Sequence, residues 1–208
     1  MKDEAVAALR SGKAVVLPTD TVYGVCADAY REGPVLRLAR LKNRPEGMPI
    51  ALLAADLDAV LDAVPEARGR AAVVARALLP GPYTLVLPNP ARRFRWLSGT
   101  RPTTIGVRVP DLPPAARAVV EAVGAVAATS ANVHGDLDPR RVADISPAIA
   151  EGCAVVLDAG DLPGTPSTVV DLSEGEPRIL REGAVPGEAA LTRIAEALRP
   201  PLRAAAPR

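Results

Sequence analysis

Short, mostly apolar runs alternate along the chain with stretches whose apolar residues fall three and four apart, and this rhythm limits the fold more than any other feature. Strand-length runs are expected at residues 14–17, 50–53, 84–87, 105–109, 125–128, 154–157, 168–172 and 178–180. Helical spacing is read at 3–10, from Pro34 through Val35, Leu38, Ala39 and Lys42 to a stop at Pro45, and at 56–63, 67–78 and 188–198. Residues 19–24, too polar for a buried strand, read as a strand-end loop. The mixed order predicts an α/β fold, α+β-like, with a twisted mixed sheet and helices on its faces.

A chain of 208 residues is long enough to bury a real core, so one domain over 1–198 is expected. Residues 199–208 hold Pro, Ala, Leu and Arg alone and read as a flexible tail. Aromatics are only 2% of the chain, so the core must come from Ala, Val, Leu and Ile. A net charge of +1 gives no chain-wide field toward nucleic acid or membrane; any anion must be held by a local cluster. Cys26 and Cys153 lie far apart and residues 1–4 carry no apolar signal core, which points to a reducing cytoplasm. No run approaches the roughly 18 apolar residues of a membrane span. No sequence feature fixes an oligomeric state.

Common catalytic signatures are missing. Residues 160–165 have some glycine spacing of a phosphate loop but no following Lys-Ser/Thr pair, and Pro163 removes an amide donor. His134 is the only histidine, which argues against a zinc site or a serine triad. Two clusters survive. In Lys42-Asn43-Arg44-Pro45, an extended segment before the proline would present both cations together, although the helix dipole by itself favours cations at a helix end and simple capping explains them more directly. In Ser130-Ala131-Asn132, alternation puts hydroxyl and amide on one side at a strand end, as a binding group or as a polar turn. Arg108 and Arg181 each close an apolar run, and each is expected to set a guanidinium, suited to gripping carboxylate or phosphate, at a sheet edge.

These pieces occur in order with 18–24 (Pro-Thr-Asp-Thr-Val-Tyr-Gly), 80–84 (Pro-Gly-Pro-Tyr-Thr), 105–108 (Ile-Gly-Val-Arg), 129–132 (Thr-Ser-Ala-Asn), 167–171 (Ser-Thr-Val-Val-Asp) and 179–181 (Ile-Leu-Arg). Together they resemble the YrdC-like L-threonylcarbamoyladenylate synthases of the Sua5/YciO/YrdC family, in the short form. The resemblance implies a concave basic site that joins L-threonine, bicarbonate and ATP into threonylcarbamoyl-AMP and pyrophosphate. The product supplies a downstream tRNA-threonylcarbamoyl transferase machinery that modifies the adenosine at position 37 of certain tRNAs. By position, Lys42, Arg44, Ser130 and Arg181 would face the nucleotide, with Asn132 supporting that wall and Lys42 and Arg44 acting in catalysis. Thr21, Arg108, Ser167 and the backbone of Ala128 would hold threonine. Mg²⁺ would ride on the phosphates, and Asp20 reads as a structural acceptor.

The chain departs from the family pattern at Met48, where many members have a second lysine, and at Leu53, where some have a histidine near the threonine. His134 stands for a serine, and Asp138-Pro139 for hydroxyl residues near the nucleotide. A paralogue with another carbamoyl acceptor therefore remains a reading. A rival of a different class starts from Arg92-Arg93-Phe94-Arg95-Trp96, a basic stretch with two aromatics that would suit an RNA-binding module, for double-stranded RNA or on the ribosome.

Overall fold

The structure, a computed structural model, describes residues 1–65 and 67–199. The frayed tail expected at 199–208 lies, Arg199 apart, outside the described residues. Along the chain run α1 (Lys2–Arg10), β1 (Ala14–Pro18), β2 (Tyr23–Asp28), α2 (Glu32–Leu41), β3 (Ala51–Ala54), α3 (Leu57–Ala63), α4 (Arg70–Leu78) and β4 (Tyr83–Pro88). They are followed by β5 (Thr104–Arg108), α5 (Pro114–Val123), β6 (Ala125–Ser130), α6 (Pro147–Glu151), β7 (Cys153–Val156), β8 (Thr168–Asp171), β9 (Arg178–Arg181) and α7 (Gly187–Ala197).

The strands among the described residues form one mixed sheet in the order β7-β1-β2-β6-β3-β5-β4-β8-β9. Parallel pairs (β1 with β7, β3 with β5, β4 with β8) are interleaved with antiparallel ones. Side chains alternate between the two faces. On one face Val16, Val25, Leu52, Ala54, Leu85, Val107 and Ala127 pack in the larger core cluster, which also takes in Val35 and Leu38 of α2, Val60 of α3, Val74 and Leu78 of α4, Ile149 of α6 and Ile194 of α7. On the other, Val15, Leu17, Cys26, Leu53, Val126 and Ala128 pack with Ala5, Val6 and Leu9 of α1 and Ala116, Val119 and Val120 of α5.

The second cluster stops short. It takes in no residue of β4, β8 or β9, and on that side of the sheet the small side chains of Ala51, Thr84, Gly106 and Val169 floor a cavity instead. The site is thus the part of the sheet that α1 and α5 leave bare.

Three elements depart from the sequence reading. Residues 23–24 begin a strand rather than end a loop: β2 runs to Asp28 and pairs Gly24 with Ser130. A Cβ at Gly24 would make only ordinary contact, 3.4 Å from the Thr129 carbonyl oxygen, so the glycine that looked like a turn signal sits in a strand that other small residues could also occupy. α5 is an alanine-rich helix that starts at a first-turn proline and stops at Gly124, φ +87°. α6 is a single five-residue turn capped by the Ser146 hydroxyl, too short for periodicity to reveal.

Candidate active site

The cavity measures about 420 Å³, and its walls come from strand ends and loops far apart in sequence. Lys42 caps the C-terminus of α2, yet its side chain does not bond that helix's carbonyls. It crosses to the end of β6, donating to the Ser130 carbonyl and, at 2.9 Å, to Asn132 Oδ1. The same Oδ1 accepts from Ser130 Oγ at 2.7 Å, so hydroxyl, amide and ammonium form one knot. Asn43, at φ +51°, turns the backbone so that Arg44 follows into the cavity; a left-handed turn, not an extended segment, brings the two cations together. Arg44 donates to the Pro49 carbonyl at 2.6 Å and to Thr129 Oγ1 at 3.5 Å.

The opposite wall is built on β5, β4, β8 and β9. Arg108 does not stand at a lateral edge of the sheet: β5 lies between β3 and β4, and its last residue points into the cavity from the middle. Its Nη2 donates at 3.0 Å to both Asp20 Oδ1 and Thr21 Oγ1, with Arg108 and Asp20 only 12% and 11% exposed. Asp20 also accepts from the Asp111 amide, as a structural acceptor should. Thr21 is fully buried behind Arg108, outside the cavity lining, and its hydroxyl lies 3.0 Å from that of Thr19. Arg181 does sit on an edge strand and donates to the Ser167 carbonyl at 2.7 Å; Ser167 Oγ meets Thr84 Oγ1 at 2.8 Å. A Cβ on Gly183 would overlap the backbone of Pro166 and Ser167, so only glycine lets the chain after β9 hold this contact.

Crowded cations shape the electrostatics. Burial, then the nearby Arg44, pulls the Lys42 ammonium down to about 8, against the attraction of Asp138. Burial and Arg181 lower Arg44, and burial and Arg181 lower Arg108 despite its Asp20 partner. Burial outweighs Arg108 at Asp20 and raises its carboxyl. The Nε atoms of Arg44 and Arg108 are buried with no acceptor among the described residues. Such a cluster is built to take an anion of high charge.

Eight of the nine expected site residues meet here: Lys42, Arg44, Arg108, Ala128, Ser130, Asn132, Ser167 and Arg181 line the cavity, with Thr21 directly behind. Met48, His134 and Asp138 line it too, whereas Leu53, 1% exposed, packs into the α1/α5 cluster instead. Thr84, Thr129 and Arg101 also line it; strand alternation in 80–84 was the available signal for Thr84, and nothing marked Arg101. The 92–96 stretch offers little for stacking bases. Trp96 donates its indole N–H to Ala29 O at 2.9 Å, Phe94 meets the rings of Tyr30 and Trp96 edge-on, and both rings pack on the core. Residues 160–165, which the sequence reading set aside as a phosphate loop, form a structural crossing, where the Gly164 amide donates to Thr21 O and the Leu162 amide to Arg140 O.

A family model for Sua5/YciO/YrdC, described as Telomere recombination, matches residues 7–183. A threonylcarbamoyl-AMP synthase of Xanthomonas campestris is 35% identical over 185 residues, covering 86% of this chain and 96% of its own. The crystal structure of Pyrococcus abyssi Sua5 complexed with L-threonine superposes with a TM-score of 0.81 at 33% identity, over 92% of this chain and 56% of that one. The chain thus spans little more than half of that protein. The crystal structure of Escherichia coli YciO superposes at a TM-score of 0.79 and 28% identity, over 88% and 89% of the two chains.

Proposed function

The chain belongs to the Sua5/YciO/YrdC family, and from that premise we propose that it is an L-threonylcarbamoyladenylate synthase, joining L-threonine, bicarbonate and ATP. The observation that carries the reading is the convergence of Lys42, Arg44, Arg108 and Arg181 on one cavity. The reaction brings anions together: a carbamate, made from the threonine amine and bicarbonate, attacks the α-phosphorus while pyrophosphate leaves with the bond's electron pair. Its barrier is dominated by charge repulsion and alignment, which fixed cations reduce without forming a covalent intermediate.

In this reading Lys42 and Arg44 bind the phosphates, oriented by Ser130, Asn132 and Thr129, and Arg181 faces them from β9. Arg108 pairs with the threonine carboxylate, beside Ser167 and the end of β6 at Ala128; that the P. abyssi relative forms a complex with L-threonine supports threonine as the amino acid taken. Thr21 and Asp20 act from behind, holding the Arg108 guanidinium in position. Magnesium, if bound, would ride on the phosphates and supply charge neutralisation there. Five Lys and Arg side chains line the cavity against one carboxylate, Asp138, among the described residues, so most of its oxygen ligands would come from triphosphate and water.

Pyrophosphate release tests the reading. It should require ATP, bicarbonate and threonine together, and omission of any one should abolish it. Release with serine in place of threonine would move the chain to a different acceptor, and release with carbamoyl phosphate in place of threonine and bicarbonate to a different carbamoyl source. Absence of release with every acceptor, alongside tight and salt-sensitive RNA binding, would overturn the enzyme reading in favour of the RNA module.

A further inference from the structure

Arg44 is held differently from the other buried guanidinium of the cavity. Arg108 has Asp20 as its counter-charge, but no carboxylate pairs with Arg44 among the described residues, and Arg181 repels it. Its firm hold is the Pro49 carbonyl at 2.6 Å, since the 3.5 Å to Thr129 Oγ1 is at the limit of a hydrogen bond. A cation pushed by its neighbours and gripped by one backbone carbonyl stands where that carbonyl is put.

The carbonyl belongs to a loop with little burial of its own: between α2 and β3, Asn43, Pro45, Glu46, Met48 and Pro49 are exposed. Its far end rests on residues 97–100, before β5. The Ile50 amide donates to Leu97 O at 2.9 Å and the Thr100 amide to Gly47 O at 3.1 Å. Between these two bonds Gly99 touches the loop backbone to backbone: a Cβ there would overlap the Gly47 carbonyl oxygen and come within 2.8 Å of the Pro49 nitrogen. The 97–100 segment is in turn fixed to the body of the protein. Leu97 is fully buried, the Trp96 indole is bonded to Ala29 O, and the buried Asn89 side chain donates to Arg93 O at 2.8 Å and accepts from the Arg93 amide at 3.0 Å. The basic, aromatic stretch at 92–96 thus anchors a buttress for the Arg44 loop.

Resting on the phosphate role given to Arg44 above, we propose that Gly99 is a positioning residue for the reaction: by its close approach to residues 47–49 it sets the Pro49 carbonyl and, through that carbonyl, the Arg44 guanidinium. In Gly99→Ala the affinity for ATP, measured by calorimetric titration of the whole protein, should fall about 10-fold, the worth of one charge-assisted hydrogen bond. KM should rise for ATP while KM for threonine stays within about 2-fold. In an Arg44→Ala background the same substitution should change ATP affinity by less than about 2-fold, because its effect passes through a side chain that is no longer there. Gly47→Ala approaches the contact from the other side, its Cβ 2.9 Å from Thr100 Cγ2, and should weaken ATP binding in the same Arg44-dependent way. Adding Thr100→Ser, which removes that methyl group, should restore part of the affinity.

Equal losses of ATP affinity with and without the Arg44 side chain would overturn the positioning role and leave the synthase reading intact. A rise in KM for threonine as large as that for ATP would do the same, since it would mean a general loosening of the cavity. Where Gly99→Ala does not fold, the Gly47→Ala pair decides by the same comparison. Failure of the unmodified protein to bind ATP, or of Arg44→Ala to weaken that binding, would overturn both readings.

Discussion

Lys42 is an ammonium held 1% exposed beside another cation, and that arrangement has consequences for both stability and binding. Its proton affinity in the folded protein, about 8, lies below the usual 10.5. Between those values the unfolded chain holds a proton the folded one lacks, so this group makes the fold more stable as pH rises from about 8 toward 10.5, and less stable below. Lys42→Met should therefore melt at the same or a higher temperature than the parent protein at pH 7, while adenylate formation drops by about 100-fold. Triphosphate binding should restore the proton. Titration with ATP at pH 8.5 in buffers of different ionisation enthalpy should show net proton uptake, absent in Lys42→Met. Arg44→Ala should also cost about 100-fold in adenylate formation, against less than about 2-fold for the exposed Arg95→Ala, and equal losses at the two would count against the site.

Two connecting segments position the site from outside it. The loop between β1 and β2 knots on Thr19, whose hydroxyl donates to Val22 O and accepts from the amides of Thr21 and Val22, and it carries Asp20 to Arg108. Asp20→Asn leaves a buried guanidinium without its counter-charge; we expect a loss of about 3 kcal/mol in denaturant unfolding and a larger rise in KM for threonine than for ATP. Gly183→Ala should separate Arg181 from Ser167 and lower ATP affinity, and a crystal structure retaining the 2.7 Å contact would refute this.

These same segments mark how far the sequence could be read. Strand-end polar residues such as Ser130 and Arg181 were legible because apolar runs stop at them. β2 was not, because Tyr23, Gly24 and Cys26 follow a polar loop and resemble its continuation, and their strand character comes from pairing with β6 over 100 residues away. The placement of Arg108 at an interior strand depends likewise on sheet order, which no local pattern contains.

At the scale of the whole molecule, the cavity collects positive charge that the overall charge of +1 conceals. Its mutual repulsion is a cost the free protein bears, and a polyanion relieves it. ATP at 100 times its Kd should add about 2.7 kcal/mol to stability and raise the melting temperature by about 5–10 °C. With the ATP concentration held at its low-salt value, scanning calorimetry should find that shift smaller in high salt, where Kd rises, and a shift insensitive to salt would refute a charge-driven site. The walls of the cavity also arrive in a set order during synthesis. Lys42 and Arg44 leave the ribosome early, whereas Ser167, just before β8, and Arg181, at the end of β9, come last of the site residues and close the far side. A growing chain thus carries a half-built, unneutralised basin until about nine-tenths of these 208 residues have been made, and the anion site proposed for it is whole only once the sheet is complete.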